Sequence, residues 1–411
     1  MEHKKIAIIG LGYVGLPLAV EFGKKFDTIG FDIDTKRVEE LSIGQDKTLE
    51  CDSEELLKAE RLKFTSDVEM LRGYNVFIIT VPTPIDKHKQ PDLGPLVKAS
   101  KTISKILSKG DIVIYESTVY PGATEEVCIP VIELNSGLKY NIDFFAGYSP
   151  ERINPGDKLH RVTNIKKVTS GSNPEVANIV NELYLQIIEA GTHKAPSIKV
   201  AEASKVIENV QRDVNIALVN ELYQILSKLD ISTKDVIDAA STKWNFMKLY
   251  PGIVGGHCIG VDPYYLLHKS SSIGYIPDLM RKAREINDSM ADYLVQQFMR
   301  ELIINKIDPS SLKIALLGFT FKENCPDIRN TRSYDLYMKL TELGLDVSII
   351  DDWANSDEVQ QEYGVQISND LTKNFDAALL LVPHQSLIDY ACKLNKSNCF
   401  VFDYKGVLRS L

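Results

Sequence analysis

The chain has 411 residues, 44% apolar and 25% charged, with 24 glycines and 17 prolines, an ordinary globular composition long enough for two or three domains. A net charge of −9 disfavours broad nucleic-acid binding, so an anionic ligand would need a local basic pocket. No run of about 18 apolar residues exists, and the apolar run before Gly10 is too short for a secretory signal, so no membrane span and a cytoplasmic location are expected. The six cysteines, at 51, 128, 258, 325, 392 and 399, form no CxxC pair and no ligand spacing, which predicts neither a disulfide framework nor a metal site.

Residues 5–9 (KIAII) predict a buried parallel strand running into Gly10-Leu11-Gly12-Tyr13-Val14-Gly15 and then a helix. Glycines at such a turn let a pyrophosphate approach the backbone at a helix N-terminus. A second strand over 28–32 ends in Asp32, 22 residues after Gly10, where the ribose-binding acid of a dinucleotide fold belongs. The carboxylate would repel a 2′-phosphate, which favours NAD, while Arg37 nearby leaves NADP open. Without the flanking strand, helix and acid, the glycines would be an ordinary turn.

Strands over 75–81 and 111–115 continue the α/β rhythm and place Thr83 and Thr118 beyond strand ends, where ligands of open α/β sheets bind. Each threonine could equally be a helix cap or turn residue. The segment 144–153 reads as strand and polar turn and carries Glu151 and Arg152, by default solvated loop charges. A stretch from about 200 to 229 lacks Gly and Pro and repeats apolar residues at three- and four-residue steps (Val206, Val210, Val214, Ala217, Leu218, Leu222, Ile225, Leu229). It predicts a helix of roughly 45 Å, a length suited to linking domains and to a dimer core. Lys205 and Asn209, four apart, share one face, as a simple surface pair or as partners for an oxygen in a cleft.

Cys258 follows in Gly255-Gly256-His257-Cys258-Ile259-Gly260-Val261-Asp262-Pro263. Most lone cysteines are buried structural residues, but glycines here leave the backbone open to a ligand. A helix is expected over 278–287. The last third echoes the first: strands over 313–318 and 346–351, then two more over 377–382 and 399–403. No GxGxxG follows Gly318. The loop there carries Lys322, Arg329 and Arg332, which suit a diphosphate better than a second NAD, or else form a salt-bridge network.

The ordered set of Gly10–Ala19, Val81-Pro-Thr-Pro84, the stretch 116–122 (ESTVYPG), 149–153 (SPERI), Lys205 with Asn209, Gly255–Cys258 with Asp262, and 318–322 (GFTFK) with Asp327 and Arg329 resembles the UDP-glucose/GDP-mannose dehydrogenase family almost end to end. The resemblance implies an α/β protein of two Rossmann-like doubly wound domains joined by a long central helix and helical middle domain. Its expected parts are an NAD-binding domain (1–195), a dimerising middle domain with the cysteine loop (196–305) and a UDP-binding domain (306–411), in a homodimer. Val261, where the UDP-glucose branch has lysine, and His257, where that branch has a small residue, bring the string 255–266 closer to UDP-N-acetylhexosamine 6-dehydrogenases of polysaccharide pathways. A four-electron oxidation at C6 is then expected. Cys258 is its nucleophile, Lys205 and Asn209 support the oxyanion, Asp262 is an acid/base partner, Glu151 acts on the hydrolytic water, and Thr118 holds that water or O6. The resemblance further assigns Gly10, Gly12, Tyr13, Val14, Gly15, Asp32, Arg37, Thr83, Thr118 and Arg332 to NAD. Glu151, Arg152, Lys205, Asn209, Tyr250, Gly252, Lys322 and Arg329 are assigned to the UDP-sugar. UDP-glucose oxidation, a two-electron dehydrogenase of 6-phosphogluconate type and a non-catalytic NAD sensor are the alternatives.

Overall fold

The computed structural model describes residues 4–86, 88–153, 161–256 and 258–408. The chain divides into two compact units, Met1–Glu208 with Tyr264–Gly274, and Asn209–Pro263 with Tyr275–Leu411.

In the first unit, four apolar strands form because each is a short β-branched run buried on both faces: β1 (Ile6–Ile9), β2 (Thr28–Phe31), β4 (Val76–Ile79) and β5 (Ile112–Tyr115). With β3 (Leu62–Thr65), β6 (Phe145–Tyr148), β7 (Lys167–Gly171) and β8 (Thr192–Lys194) they make one sheet of order β3-β2-β1-β4-β5-β6-β7-β8. All pairings are parallel except β6 with β7. Ile6 and Ile8 pack into one core layer, Ala7 and Ile9 into the other, as the two-residue strand period demands. The strand order reverses between β1 and β4, so the crevice for a ligand opens at Gly10.

The second unit repeats the plan with β9 (Lys313–Leu317), β10 (Asp346–Ile350), β11 (Ile367–Ser368), β12 (Ala377–Leu380) and β13 (Phe400–Phe402), all parallel in the order β11-β10-β9-β12-β13. Helix Asp278–Ile304 sends Met290, Leu294, Phe298 and Leu302 into the core on one face of this sheet.

The expected long helix is Ile198–Lys228, 31 residues, and it runs from one unit into the other. Its apolar positions do not form one buried stripe. Val206 and Ala217 are buried, whereas Leu218, Leu222, Ile225 and Leu229 are 40–61% exposed in the single chain. Among the described residues no helix is long and apolar enough to cross a membrane.

Candidate active site

In the first unit the candidate site residues begin at the turn after β1. Gly10 has φ +98°, a conformation favouring glycine, and its amide donates to the Phe31 carbonyl (2.8 Å). A Cβ on Gly15 would lie 1.8 Å from the Gly10 carbonyl oxygen, so the third glycine closes helix Gly15–Gly23 onto the strand. Gly12 differs: a Cβ there would meet nothing within 4 Å. Packing alone therefore does not require glycine at 12, but a ligand lying on the turn would. The helix has no side-chain cap and no acidic residue in its first turn, which leaves its amide dipoles for an anion. Asp32 is fixed at the end of β2 by the amides of Leu11 (2.8 Å) and Asp34 (3.0 Å) and stays half-buried. These features fit NAD: a diphosphate on the uncapped turn and a ribose on Asp32.

Arg37 is buried, donates through Nε to the Leu11 carbonyl (3.0 Å) and pairs with Asp46 (2.7 Å). It braces the glycine turn, and that neutralised guanidinium does not mark a 2′-phosphate site. Tyr13 and Val14 lie on the same turn, and Thr83 is half-buried past β4. Thr118 is half-buried past β5; its neighbour Ser117 donates to the Val81 carbonyl (2.6 Å) and accepts through its own carbonyl from Tyr148 Oη (3.1 Å), which sets the turn.

Glu151, past β6, is buried beneath two backbone amides, those of Arg152 (2.6 Å) and Ile153. Its other oxygen accepts from Lys167 Nζ at 3.2 Å. The sequence reading missed Lys167, which is 3% exposed at the start of β7 and donates also to Glu116 (2.7 Å). Tyr184 donates to the second oxygen of Glu116. Burial pushes the Glu116 carboxyl up to about 7 against the pull of the Lys167 ammonium. Burial also works against the Lys167 charge, but the two carboxylates outweigh it and hold Lys167 above the usual lysine value. Arg152, expected on the substrate, instead pairs with Glu208 (2.6 Å) and donates to the Lys166 carbonyl (2.8 Å). Lys205 is buried on the long helix, where Glu202, one turn earlier, holds the amides of Gly122 and Thr124 (2.5 and 2.9 Å).

In the second unit the candidate site residues lie on the cysteine loop. Gly256 has φ +74°, and a Cβ on it would press on the Phe321 ring at 2.8 Å; one on Gly255 would lie 2.8 Å from the Asn330 carbonyl oxygen. Asn330 donates to the Gly256 carbonyl (2.9 Å) and Arg332 to that of Val254 (3.3 Å). The thiol loop is thus built onto the basic loop after β9. Cys258 is half-buried, as is Cys392, whereas Cys51, Cys128, Cys325 and Cys399 are buried. Its carbonyl starts helix Asp262–Ser272 by accepting from the Asp262 amide (2.8 Å). The buried Asp262 carboxylate accepts from the buried Asn209 amide. Upstream, Asn220 grips both backbone groups of Gly252 (2.9 and 3.0 Å) and Asn287 (2.8 Å), and Asn287 and Arg284 bind Asp213 (2.7 and 2.5 Å). That ladder anchors the loop to two helices.

A cavity of about 640 Å³ shares its wall with this loop. Gly252, Gly255, Ile259, Tyr250, Phe321 and Lys322 line it, together with Lys234 and Lys405, which the sequence reading did not single out. Apolar walls with converging cations suit a base plus a diphosphate. Tyr250 donates to Asp238 (3.0 Å), which leaves its ring for contact. Arg329 forms a bidentate pair with Asp327, and Arg332 pairs with Asp288 (2.9 Å) and Asp335 (3.0 Å). All three nitrogen positions of Arg332 are thus engaged within the protein, by Val254, Asp288 and Asp335. His257, expected to bear on sugar choice, lies outside the described residues.

Three family models match in order: the NAD binding domain (residues 4–188), the central domain (199–289) and the UDP binding domain (315–410) of the UDP-glucose/GDP-mannose dehydrogenase family. The chain belongs to this family. It is 55% identical to the UDP-N-acetyl-D-glucosamine 6-dehydrogenase of Pseudomonas aeruginosa (99% of this chain, 98% of the relative) and 53% identical to that of Salmonella typhi (99% and 97%). A UDP-D-ManNAc dehydrogenase structure from Pyrococcus horikoshii matches with TM-score 0.85 at 30% identity, covering 96% of this chain and 93% of that one. The family member described here is an NAD-dependent oxidoreductase of UDP-sugars.

Proposed function

We propose that the protein oxidises C6 of a UDP-N-acetylhexosamine, UDP-N-acetylglucosamine first, to the uronic acid, for polysaccharide synthesis in the cytoplasm. The observation that carries the reading is the half-buried Cys258 on a glycine loop that walls a cavity with lysines for a diphosphate. The N-acetylglucosamine preference rests on the two bacterial relatives above.

NAD, held by the glycine turn and Asp32, supplies the hydride acceptor. Lys205 and Asn209 stabilise negative charge on O6 as the alcohol loses its proton and hydride. The Cys258 thiolate then adds to the aldehyde carbon, giving a tethered thiohemiacetal. Transfer of a second hydride to a second acceptor molecule, with the hydroxyl proton passing to solvent, leaves a thioester. Glu151 takes a proton from water, with Thr118 holding the water or O6, as oxygen bonds the acyl carbon and the C–S bond breaks. Asp262 orients Asn209 through their hydrogen bond.

The exposed row Leu218, Leu222, Ile225 and Leu229, at steps of four, three and four, supports a homodimer through the long helix. NADH production against a panel of UDP-hexoses and UDP-N-acetylhexosamines tests the reading. Two NADH per UDP-N-acetylglucosamine are expected; one per sugar, or turnover by Cys258→Ala near the wild-type rate, overturns it.

A further inference from the structure

Glu116, Lys167 and Tyr184 have no part in that reaction scheme, yet they form a dry polar cluster against one of its residues. Two carboxylates share one ammonium, with Glu116 and Lys167 at most 3% exposed while Glu151, at 8%, keeps an edge open to water. Such a group is costly unless each charge is matched, so its members hold their geometry tightly and respond jointly to a proton. One Glu151 oxygen is spent on the amides of residues 152 and 153; the Lys167 ammonium faces the other. Among the described residues Arg152, next to Glu151 in the chain, is paired with Glu208, and Lys205 lies one turn before Glu208 on the long helix. A lysine serving only to fill a sheet would not be placed between two carboxylates of which one borders a strand-end turn.

We propose that Lys167, shared between Glu116 and Glu151, is a positioning residue that aims the Glu151 carboxylate and governs how it accepts the proton of the hydrolytic water. In the step concerned, a water O–H bond breaks, the proton goes to Glu151, the water oxygen bonds the acyl carbon, and the C–S bond electrons leave as Cys258 thiolate. Glu116 draws off part of the Lys167 charge. Without it, all of that charge would fall on Glu151 and weaken it as a base. Burial raises the proton affinity of Glu116, and the Lys167 ammonium opposes that rise.

This inference rests on the thioester reading, and the test separates the two. Hydrolysis of the acyl-enzyme is followed in single turnover against pH, with the protein–sugar adduct read by intact mass. Glu116→Gln lowers the pH of the acid limb by about one unit and slows the plateau, because Lys167 then answers to Glu151 alone. Tyr184→Phe moves the limb the same way by less, and covers the case in which Glu116→Gln fails to fold. Lys167→Met raises the limb, and Lys167→Arg returns it toward wild type. A limb that coincides with wild type in Glu116→Gln and Tyr184→Phe, whatever the loss of rate, reduces the cluster to a structural role and overturns the inference. Absence of any adduct in Glu151→Gln overturns the thioester reading itself.

Discussion

Gly12→Ala separates ligand binding from folding at one atom. A methyl group at 12 meets nothing within 4 Å, and Gly12 is not among the glycines with positive φ. The variant should therefore fold, and be more stable by roughly 0.4–1 kcal/mol because alanine narrows the unfolded ensemble. The same methyl occupies the space over the uncapped helix end. If NAD lays its diphosphate there, at least one backbone-to-anion hydrogen bond, worth about 1.5–3 kcal/mol, is lost. Affinity should fall by roughly 10- to 150-fold. Gly15→Ala is the contrast: its Cβ would sit 1.8 Å from the Gly10 carbonyl oxygen and 2.5 Å from Thr80 Oγ1, both buried in the turn. That variant should unfold at markedly lower temperature. Thermal unfolding without cofactor and NAD titration by calorimetry give the two readouts. Wild-type NAD affinity in a stable Gly12→Ala protein would refute the placement of the diphosphate on this turn.

Three further outcomes follow from packing and charge. Gly256→Ala must relieve a contact of 2.8 Å with Phe321 at φ +74°; it should cost about 1–3 kcal/mol in denaturant unfolding and more in turnover than in NAD affinity. Leu222→Glu puts a charge in the exposed row of the long helix, and sedimentation should show dimers becoming monomers; a wild type that sediments as a monomer rejects the interface. Burial raises Glu202 to about 7 from an ordinary 4.5. The folded state thus holds the extra proton between those values, so this contribution to stability is present below pH 4.5 and is lost as pH rises through 7. Chemical denaturation across that window should show wild type losing stability relative to Glu202→Gln; a constant difference contradicts it.

What could be read in the sequence was local or periodic. The buried parallel strands announce themselves as unbroken apolar runs, and the glycine turn gathers its chemistry within six residues. Strand β3 was not seen because it is half-exposed and carries Lys63, and β7 because its burial is mixed with polar groups. Lys167 was invisible for a different reason: its partners lie 51 and 16 residues away, and nothing in a lysine's surroundings in sequence announces two buried carboxylates. The counter-ions of the basic residues were only partly visible: Glu208 of Arg152 and Asp288 of Arg332 are remote in the chain, whereas Asp335 of Arg332 is three residues away. A basic loop signals excess charge only when its counter-ions are also visible.

The two sheets show how one frame yields two different nucleotide sites. Each has a strand ending in an acid beside a glycine of positive φ: Asp32 with Gly10 (φ +98°), Asp351 with Gly318 (φ +100°). Asp32 is half-buried and accepts two amides, which leaves part of its carboxylate for a ribose. Asp351 is 1% exposed and accepts four amides, those of Phe319, Thr320, Trp353 and Ala354, at 2.6–3.1 Å. A Cβ on Gly318 would lie 2.5 Å from Val382, so this turn is closed by protein where the Gly10 turn is open at Gly12. With its acid consumed and its turn filled, the second sheet has no place for a dinucleotide laid as in the first. Positive charge is carried instead by side chains on the cavity wall, Lys322 and Lys405, the kind of group that can hold a diphosphate without a glycine-rich backbone. The absence of a second GxGxxG thus goes together with an Asp351 that is taken up by four amides of its own fold.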